Sequence, residues 1–271
     1  MIHKLRIEIL SVVLLVYTYQ ISAQTTVTGN ITRFTVEVPS MGSSKNIWVY
    51  LPKSYEASQH KYPVLYLQDA QNLFDKSTSF SGEWRVDEIL DSLNTDLIVI
   101  GIEHGNDRRI EELTPFPHPD HGGGKADLYL EFIVSNLKPE IDNRYRTHTG
   151  PEKTYIGGSS LGGLFSYYSL LKHPGVFGKA LVFSPSFWFT EEIFEFTSQQ
   201  NAEILNKVAL LMMAGEKESE TMVPLMFKMR QQLLDQGMPS CNIYVRSFAN
   251  GAHNENFWSS ILPQSVLWLV D

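Results

Sequence analysis

Residues 154 to 164 read Thr154-Tyr155-Ile156-Gly157-Gly158-Ser159-Ser160-Leu161-Gly162-Gly163-Leu164, and the fold follows from them. An apolar strand runs into small residues, and a helical pattern opens at the serines. Gly158-Ser159-Ser160-Leu161-Gly162 satisfies G-x-S-x-G. A serine on a sharp strand-to-helix turn is held in strained backbone geometry, so the positions two before and two after it need almost no side chain. Ser160 fits that place. Centring the pattern on Ser159 would put Leu161 where glycine is required. The same turn sets Ser160 at a helix N-terminus, where free N–H groups stabilise developing negative charge, with the N–H of Leu161 as the first oxyanion donor.

Outward from this stretch, short and almost purely apolar runs recur at 63–67, 97–102, 154–156, 179–183, 208–213 and 243–245, as strands buried on both faces require. Helical spacing fills 84–93, 128–141, 161–171, 222–234 and 257–269 between them. Two segments of two-residue alternation, 31–38 and 46–51, flank Gly42-Ser43-Ser44 and predict an opening hairpin with its turn there. The reading is an α/β fold: a mostly parallel central sheet of about eight strands with helices on both faces. The stretch from His104 to Gly124 is long for a connector, and such loops shape a site or move.

A serine hydroxyl is a poor nucleophile at neutral pH, so a base must take its proton and an acid must hold that base in the right tautomer. In this fold they follow in the order serine, acid, histidine. Only His173 and His253 lie after Ser160. His173 precedes Pro174 at a helix end, whereas His253 sits in a small-residue loop, Asn250-Gly251-Ala252-His253-Asn254, between the last strand and the last helix. His253 is therefore the candidate base. The strand at 208–213 ends in Ala-Gly-Glu-Lys-Glu, which offers Glu216 and Glu218. Glu218 is preferred, since three residues beyond Gly215 the chain has room to turn before presenting its carboxylate.

Composition bounds the rest. At 271 residues, 43% hydrophobic and 12% aromatic, the chain can bury one full core. No repeat or low-complexity tract interrupts it. A net charge of -8 without a dense basic run argues against nucleic acid. Lys4 and Arg6, the apolar stretch 9–17 and Ser22-Ala23 read as a signal peptide over 1–23, too short in its apolar part to span a bilayer. The expectation is a periplasmic or secreted protein, 24–271, with no stable membrane anchor after cleavage. The single cysteine, Cys241, excludes an intramolecular disulfide and is expected to pack in the interior. His118 and His121 have a spacing that metals use, but without a third ligand no metal site is expected.

Longer stretches carry a family likeness. They are Tyr66 to Phe74, Gly82-Glu83-Trp84, Arg109 to Pro115, Gly157 to Gly163, Ser184-Pro185-Ser186-Phe187-Trp188, Gly215 to Glu218, and His253-Asn254 with Trp258. Together they resemble the putative-esterase branch of the α/β-hydrolases, which includes feruloyl and acetylxylan esterases, ferric-siderophore esterases, esterase D and the antigen 85 mycolyltransferases. The resemblance spans nearly all of the mature chain. It implies Ser160 as nucleophile, His253 as base and Glu218 as acid, with a second oxyanion N–H from Gln71. It also places Asp69, Trp84 and Trp188 around the substrate. Where relatives carry Asp-Gly-Gln this chain has Asp69-Ala70-Gln71, and a positive φ at the middle position would strain alanine. Arg109 and Glu112 are expected to pair and brace the long loop.

The expected reaction is cleavage of a small-molecule or carbohydrate ester through an acyl-enzyme, with no cofactor. Feruloyl or acetyl esters of polysaccharide and a ferric-siderophore trilactone both suit it. The competing readings are an acyltransferase to a sugar hydroxyl and a non-catalytic binding protein on the same scaffold.

Overall fold

The computed structural model describes residues 25–271, so the signal peptide expected at 1–23 lies outside the described residues. Ten strands follow in chain order: β1 (Asn30–Val38), β2 (Ser43–Leu51), β3 (Val64–Gln68), β4 (Ile98–Ile102), β5 (Pro117–His118), β6 (Gly122–Gly123), β7 (Thr154–Ser159), β8 (Lys179–Phe183), β9 (Ala209–Gly215) and β10 (Ile243–Phe248). Eight form one sheet in the order β1-β2-β4-β3-β7-β8-β9-β10, and β5 pairs with β6 apart from it. From β4 to β10 every neighbouring pair is parallel, while β2 runs antiparallel to both β1 and β4.

Side-chain alternation divides the core into two layers. Leu65, Leu67, Leu181, Phe183, Leu211 and Met213 face one side, where they meet the helices Val86–Leu93 and Glu255–Val270. Tyr66, Ile100, Ile156, Ala180, Val182 and Met212 face the other, against the helices Leu161–Lys172 and Met222–Asp235. Both faces are covered, which is why these strands read as continuous apolar runs. The helix Leu161–Lys172 is buried from Leu161 through Leu171. Its two serines return their hydroxyls to the helix: Ser166 donates to Gly162 O and Ser169 to Phe165 O, each at 2.7 Å.

Several elements depart from the sequence expectation. The hairpin turn is a 3-10 turn at Pro39–Met41 closed by Gly42 at φ 56°, and Ser43 and Ser44 already pair with Val38 and Glu37. The continuous helix expected over 128–141 is Ala126–Phe132, a π-helical turn at Ile133–Leu137, then Lys138–Arg144. The widened turn lies just ahead of Pro139, which has no N–H to continue an α-helical ladder. Cys241 is exposed, not packed inside. The 104–124 stretch is structured, with a 3-10 turn at Asn106–Arg108, a short helix at Arg109–Leu113 and the β5–β6 ribbon.

Candidate active site

Ser160 stands between β7 and the helix that begins at Leu161, with φ 58° and ψ -122°, a conformation L-residues rarely adopt. Its N–H donates to Phe183 O of β8 at 2.9 Å, which anchors the turn to the sheet. A Cβ on Gly158 would come within 2.8 Å of the Gly162 carbonyl carbon, so the glycine spacing has a steric cause. Ser160 Oγ lies 3.0 Å from His253 Nε2.

The other imidazole nitrogen, His253 Nδ1, is 2.8 Å from Glu218 Oε2. The Glu218 side chain is 1% exposed against 37% for His253, so the carboxylate sits behind the ring and the ring faces the cleft. Glu218 Oε1 accepts the Gly215 N–H at 2.6 Å and the Ser184 hydroxyl at 2.7 Å. Ser184 in turn accepts the Trp258 indole N–H at 2.8 Å. Glu216 turns away and accepts the Ser247 hydroxyl at 2.7 Å on the surface.

Two loops must meet for this to occur, and two glycines let them. A Cβ on Gly251 would come within 2.6 Å of Gly215 Cα, and the Lys217 N–H donates to Gly251 O at 3.0 Å. Asn254 then caps the last helix by accepting the Phe257 N–H at 3.0 Å, which fixes the residue after the histidine.

Leu161 is the first residue of its helix, where a backbone N–H has no intrahelical acceptor. Gln71 sits in the 3-10 turn Ala70–Asn72 at the end of β3 and lines the same cleft as Ser160. The residue with positive φ in this turn is Asp69, at 61°, and not Ala70. Ala70 is fully buried over Gly101, where an added Cβ would meet the Ala70 methyl at 2.9 Å. The exchange of glycine for alanine is thus absorbed by a glycine on the neighbouring strand.

Asp69 is held by a two-pronged ion pair: Arg109 Nε donates to Oδ1 at 2.8 Å and its terminal nitrogen to Oδ2 at 2.9 Å. Burial pushes the Asp69 carboxyl up, but the Arg109 charge and hydrogen bonds outweigh it and hold the carboxyl below the usual range. Arg109 therefore does not pair with Glu112, as the sequence led one to expect. Glu112 is buried against Lys45, and it also accepts the Gly105 N–H at 2.8 Å. Sequence spacing cannot reveal either pairing, because Asp69 is 40 residues from Arg109 and Lys45 is 67 from Glu112.

Above Ser160 lies an open cleft of about 660 Å3, within the ordinary range for small-molecule sites. Gln71, Phe80, His104, Arg109, Asn254 and Trp258 are among its walls. Phe80 is 92% exposed, a side chain the sequence reading passed over because nothing in its surroundings marks a pocket lip. Burial holds His104 below the ordinary imidazole value, Arg109 adding to the effect while Asp69 opposes it. Glu255, another residue of the cleft wall, is shifted upward by burial and by the Asp69 charge, and accepts the Asn72 side-chain N–H at 3.1 Å. Trp84 does not line the cleft: it is 2% exposed and packs against Phe183 and Trp258. Trp188 is half-exposed and meets His121 and Phe189 beside the β5–β6 ribbon. His118 and His121 stack at 4.6 Å, and neither belongs to a group of three metal-ligating side chains among the described residues.

An eight-stranded, mostly parallel sheet with a serine on a strained turn at its carboxyl edge, and a histidine and carboxylate from later loops, defines the α/β-hydrolase class. The chain belongs to the Putative esterase family, whose model matches residues 38–269. It is 30% identical over 182 residues to the ferri-bacillibactin esterase BesA of Bacillus subtilis, covering 58% of this chain and 60% of that protein. The chain thus spans about 60% of the length of that relative. Among solved structures, the siderophore hydrolase EstA from Aspergillus nidulans superposes with a TM-score of 0.72 at 21% identity, over 89% of this chain and 94% of that one. A ferulic acid esterase superposes with a TM-score of 0.70 at 20% identity, over 89% and 98%.

Proposed function

We propose that the chain is a serine carboxylic-ester hydrolase. The observation that carries this reading is the unbroken contact from Ser160 Oγ to His253 Nε2 at 3.0 Å and from His253 Nδ1 to Glu218 Oε2 at 2.8 Å. Glu218 accepts the Nδ1–H, which leaves Nε2 free to take the hydroxyl proton. Ser160 Oγ then bonds to the ester carbonyl carbon, and the oxyanion is met by the N–H groups of Leu161 and Gln71. As the tetrahedral adduct collapses, His253 returns the proton to the leaving alcohol. Water repeats the sequence on the acyl-enzyme and frees Ser160. Asp69, paired with Arg109, fixes the turn that carries Gln71.

The substrate is a small-molecule or carbohydrate ester. The two classes in view are those the relatives' names give, an ester of ferulic acid and a siderophore. Phe80 and Trp258 give the cleft aromatic lining, and Arg109, paired with Asp69, a cation. The charged start, apolar stretch and small-residue site before residue 24 support export to the periplasm or beyond. No helix among the described residues is long and apolar enough to cross a membrane.

Ser160→Ala should fold with the wild-type melting temperature, hydrolyse short nitrophenyl esters at background rate and resist a fluorophosphonate probe. Retained hydrolysis ends the proposal. A panel of methyl ferulate, acetylated xylan and ferric enterobactin then separates the substrate classes.

A further inference from the structure

At the start of the helix Val86–Leu93, three carboxylates converge beside the chain's first described residues. One oxygen from each of Glu83, Asp87 and Glu88 lies within 4.8 Å of those from the other two. Crowding alone would mean little, but the hydrogen bonding is uneven. Asp87 is fully buried, and its Oδ2 accepts the Thr28 N–H at 2.8 Å, the Gly29 N–H at 3.1 Å and the Thr28 hydroxyl at 3.2 Å. Its Oδ1 is equally buried and accepts nothing among the described residues. The same division holds for Glu88: Oε1 takes the Arg85 Nε–H at 3.2 Å, while Oε2 is buried without a partner. Glu83 receives the Thr26 hydroxyl.

Buried acceptors without donors are costly, and two in one carboxylate cluster call for something positive between them. Burial first, then contact with the Asp87 carboxyl, holds Glu88 above the usual carboxylate range, and burial does the same to Glu83. A proton shared between two carboxyls would satisfy one pair and leave the third charge unanswered. Arg85 reaches only the other oxygen of Glu88. A divalent cation would satisfy all three groups at once.

We propose that Glu83, Asp87 and Glu88 form a calcium-binding site. The donors are all oxygen, with no imidazole or thiolate, which selects a hard cation. An irregular, carboxylate-rich shell favours Ca2+ over Mg2+, which demands near-ideal octahedral geometry and keeps its waters. Through Thr26, Thr28 and Gly29 the cation would pin residues 25–29 to the helix Val86–Leu93.

The test compares the mature chain, stripped with a chelator and dialysed, in CaCl2, in MgCl2 and in neither. Calcium at about a hundredfold excess over its dissociation constant should raise the melting temperature by roughly 5–10 °C for a chain of this size, and magnesium by clearly less. Hydrogen exchange at the Thr28 and Gly29 amides should slow in calcium. Glu83→Gln with Glu88→Gln should abolish both responses while leaving the stripped protein as stable as the stripped wild type or more so. If that double variant does not fold, Glu88→Gln alone should weaken calcium binding at least tenfold. Identical melting with and without calcium means the carboxyls share only a proton, and overturns the site. A response that survives the substitutions also overturns it, since the ion would then bind elsewhere.

Discussion

Changing Glu218 to glutamine alters one atom and leaves the volume of the side chain unchanged. Oε1 accepts two hydrogen bonds, from the Gly215 N–H at 2.6 Å and the Ser184 hydroxyl at 2.7 Å. The Ser184 hydroxyl has no freedom to turn, because its oxygen already accepts the Trp258 indole N–H. The glutamine must therefore keep its oxygen at the Oε1 position and turn its NH2 toward His253. That amide donates to Nδ1 and forces the imidazole proton onto Nε2, so the ring now points a hydrogen at Ser160 Oγ and cannot accept one. A wrong tautomer of this kind in a serine relay costs about 10^4-fold in kcat, or about 5.4 kcal/mol of transition-state stabilisation. Stability should change little, by about 1 kcal/mol, since both donors to Oε1 remain satisfied. The assay is nitrophenyl-ester turnover beside thermal melting. Turnover within tenfold of wild type would refute the tautomer argument, and a large loss of stability would show that the amide has not settled in the expected orientation.

Gly215→Ala should lower melting stability by about 1–3 kcal/mol from the forced contact with Gly251, and lower kcat/KM about 100-fold as the loops of Glu218 and His253 separate. Gly175→Ala, where an added methyl meets nothing within 4 Å, is the neutral control in both assays. Trp258→Phe removes the N–H that orients Ser184 and leaves a gap against Trp84, so kcat should fall about tenfold and melting stability by about 1–3 kcal/mol. Asp69→Asn leaves Arg109 without its counter-charge, costing about 3 kcal/mol in urea titrations. Because the folded Asp69 carboxyl lies below its ordinary 3.8, its contribution is present above that pH and disappears as pH falls through the folded value. Stability of the Asp69→Asn variant should accordingly depend less on pH below about 4 than wild type does.

The strands on both faces of the core were legible because burial on two sides leaves only apolar residues, and Lys179–Phe183 has the bounds its sequence indicated. Strand ends that enter the site were not. β7, β9 and β10 continue through Gly157-Gly158-Ser159, Ala214-Gly215 and Arg246-Ser247-Phe248, where the demands of turning and loop contact replace hydrophobicity. The placement of Ser160, His253 and Glu218 was legible from loop position along the chain, and their distances agree with it. The surroundings were not: which acid faces Arg109, what Lys45 neutralises and whether Trp84 reaches solvent depend on partners dozens of residues away. Trp84 shows the difficulty well. A tryptophan beside a site and a tryptophan beneath its floor have the same local sequence, and only the packing of Trp258 over it decides.

The loops that carry the proposed relay are tied by main-chain bonds to a neighbouring strand or to one another: Ser160 N–H to Phe183 O and Glu216 N–H to Phe248 O at strand ends, and Lys217 N–H to Gly251 O between the two later loops. None can drift while the sheet remains intact. Heat should therefore switch hydrolysis off at the same midpoint at which far-ultraviolet ellipticity collapses, with no intact but silent species between, and residual turnover can stand in for the fraction of folded molecules.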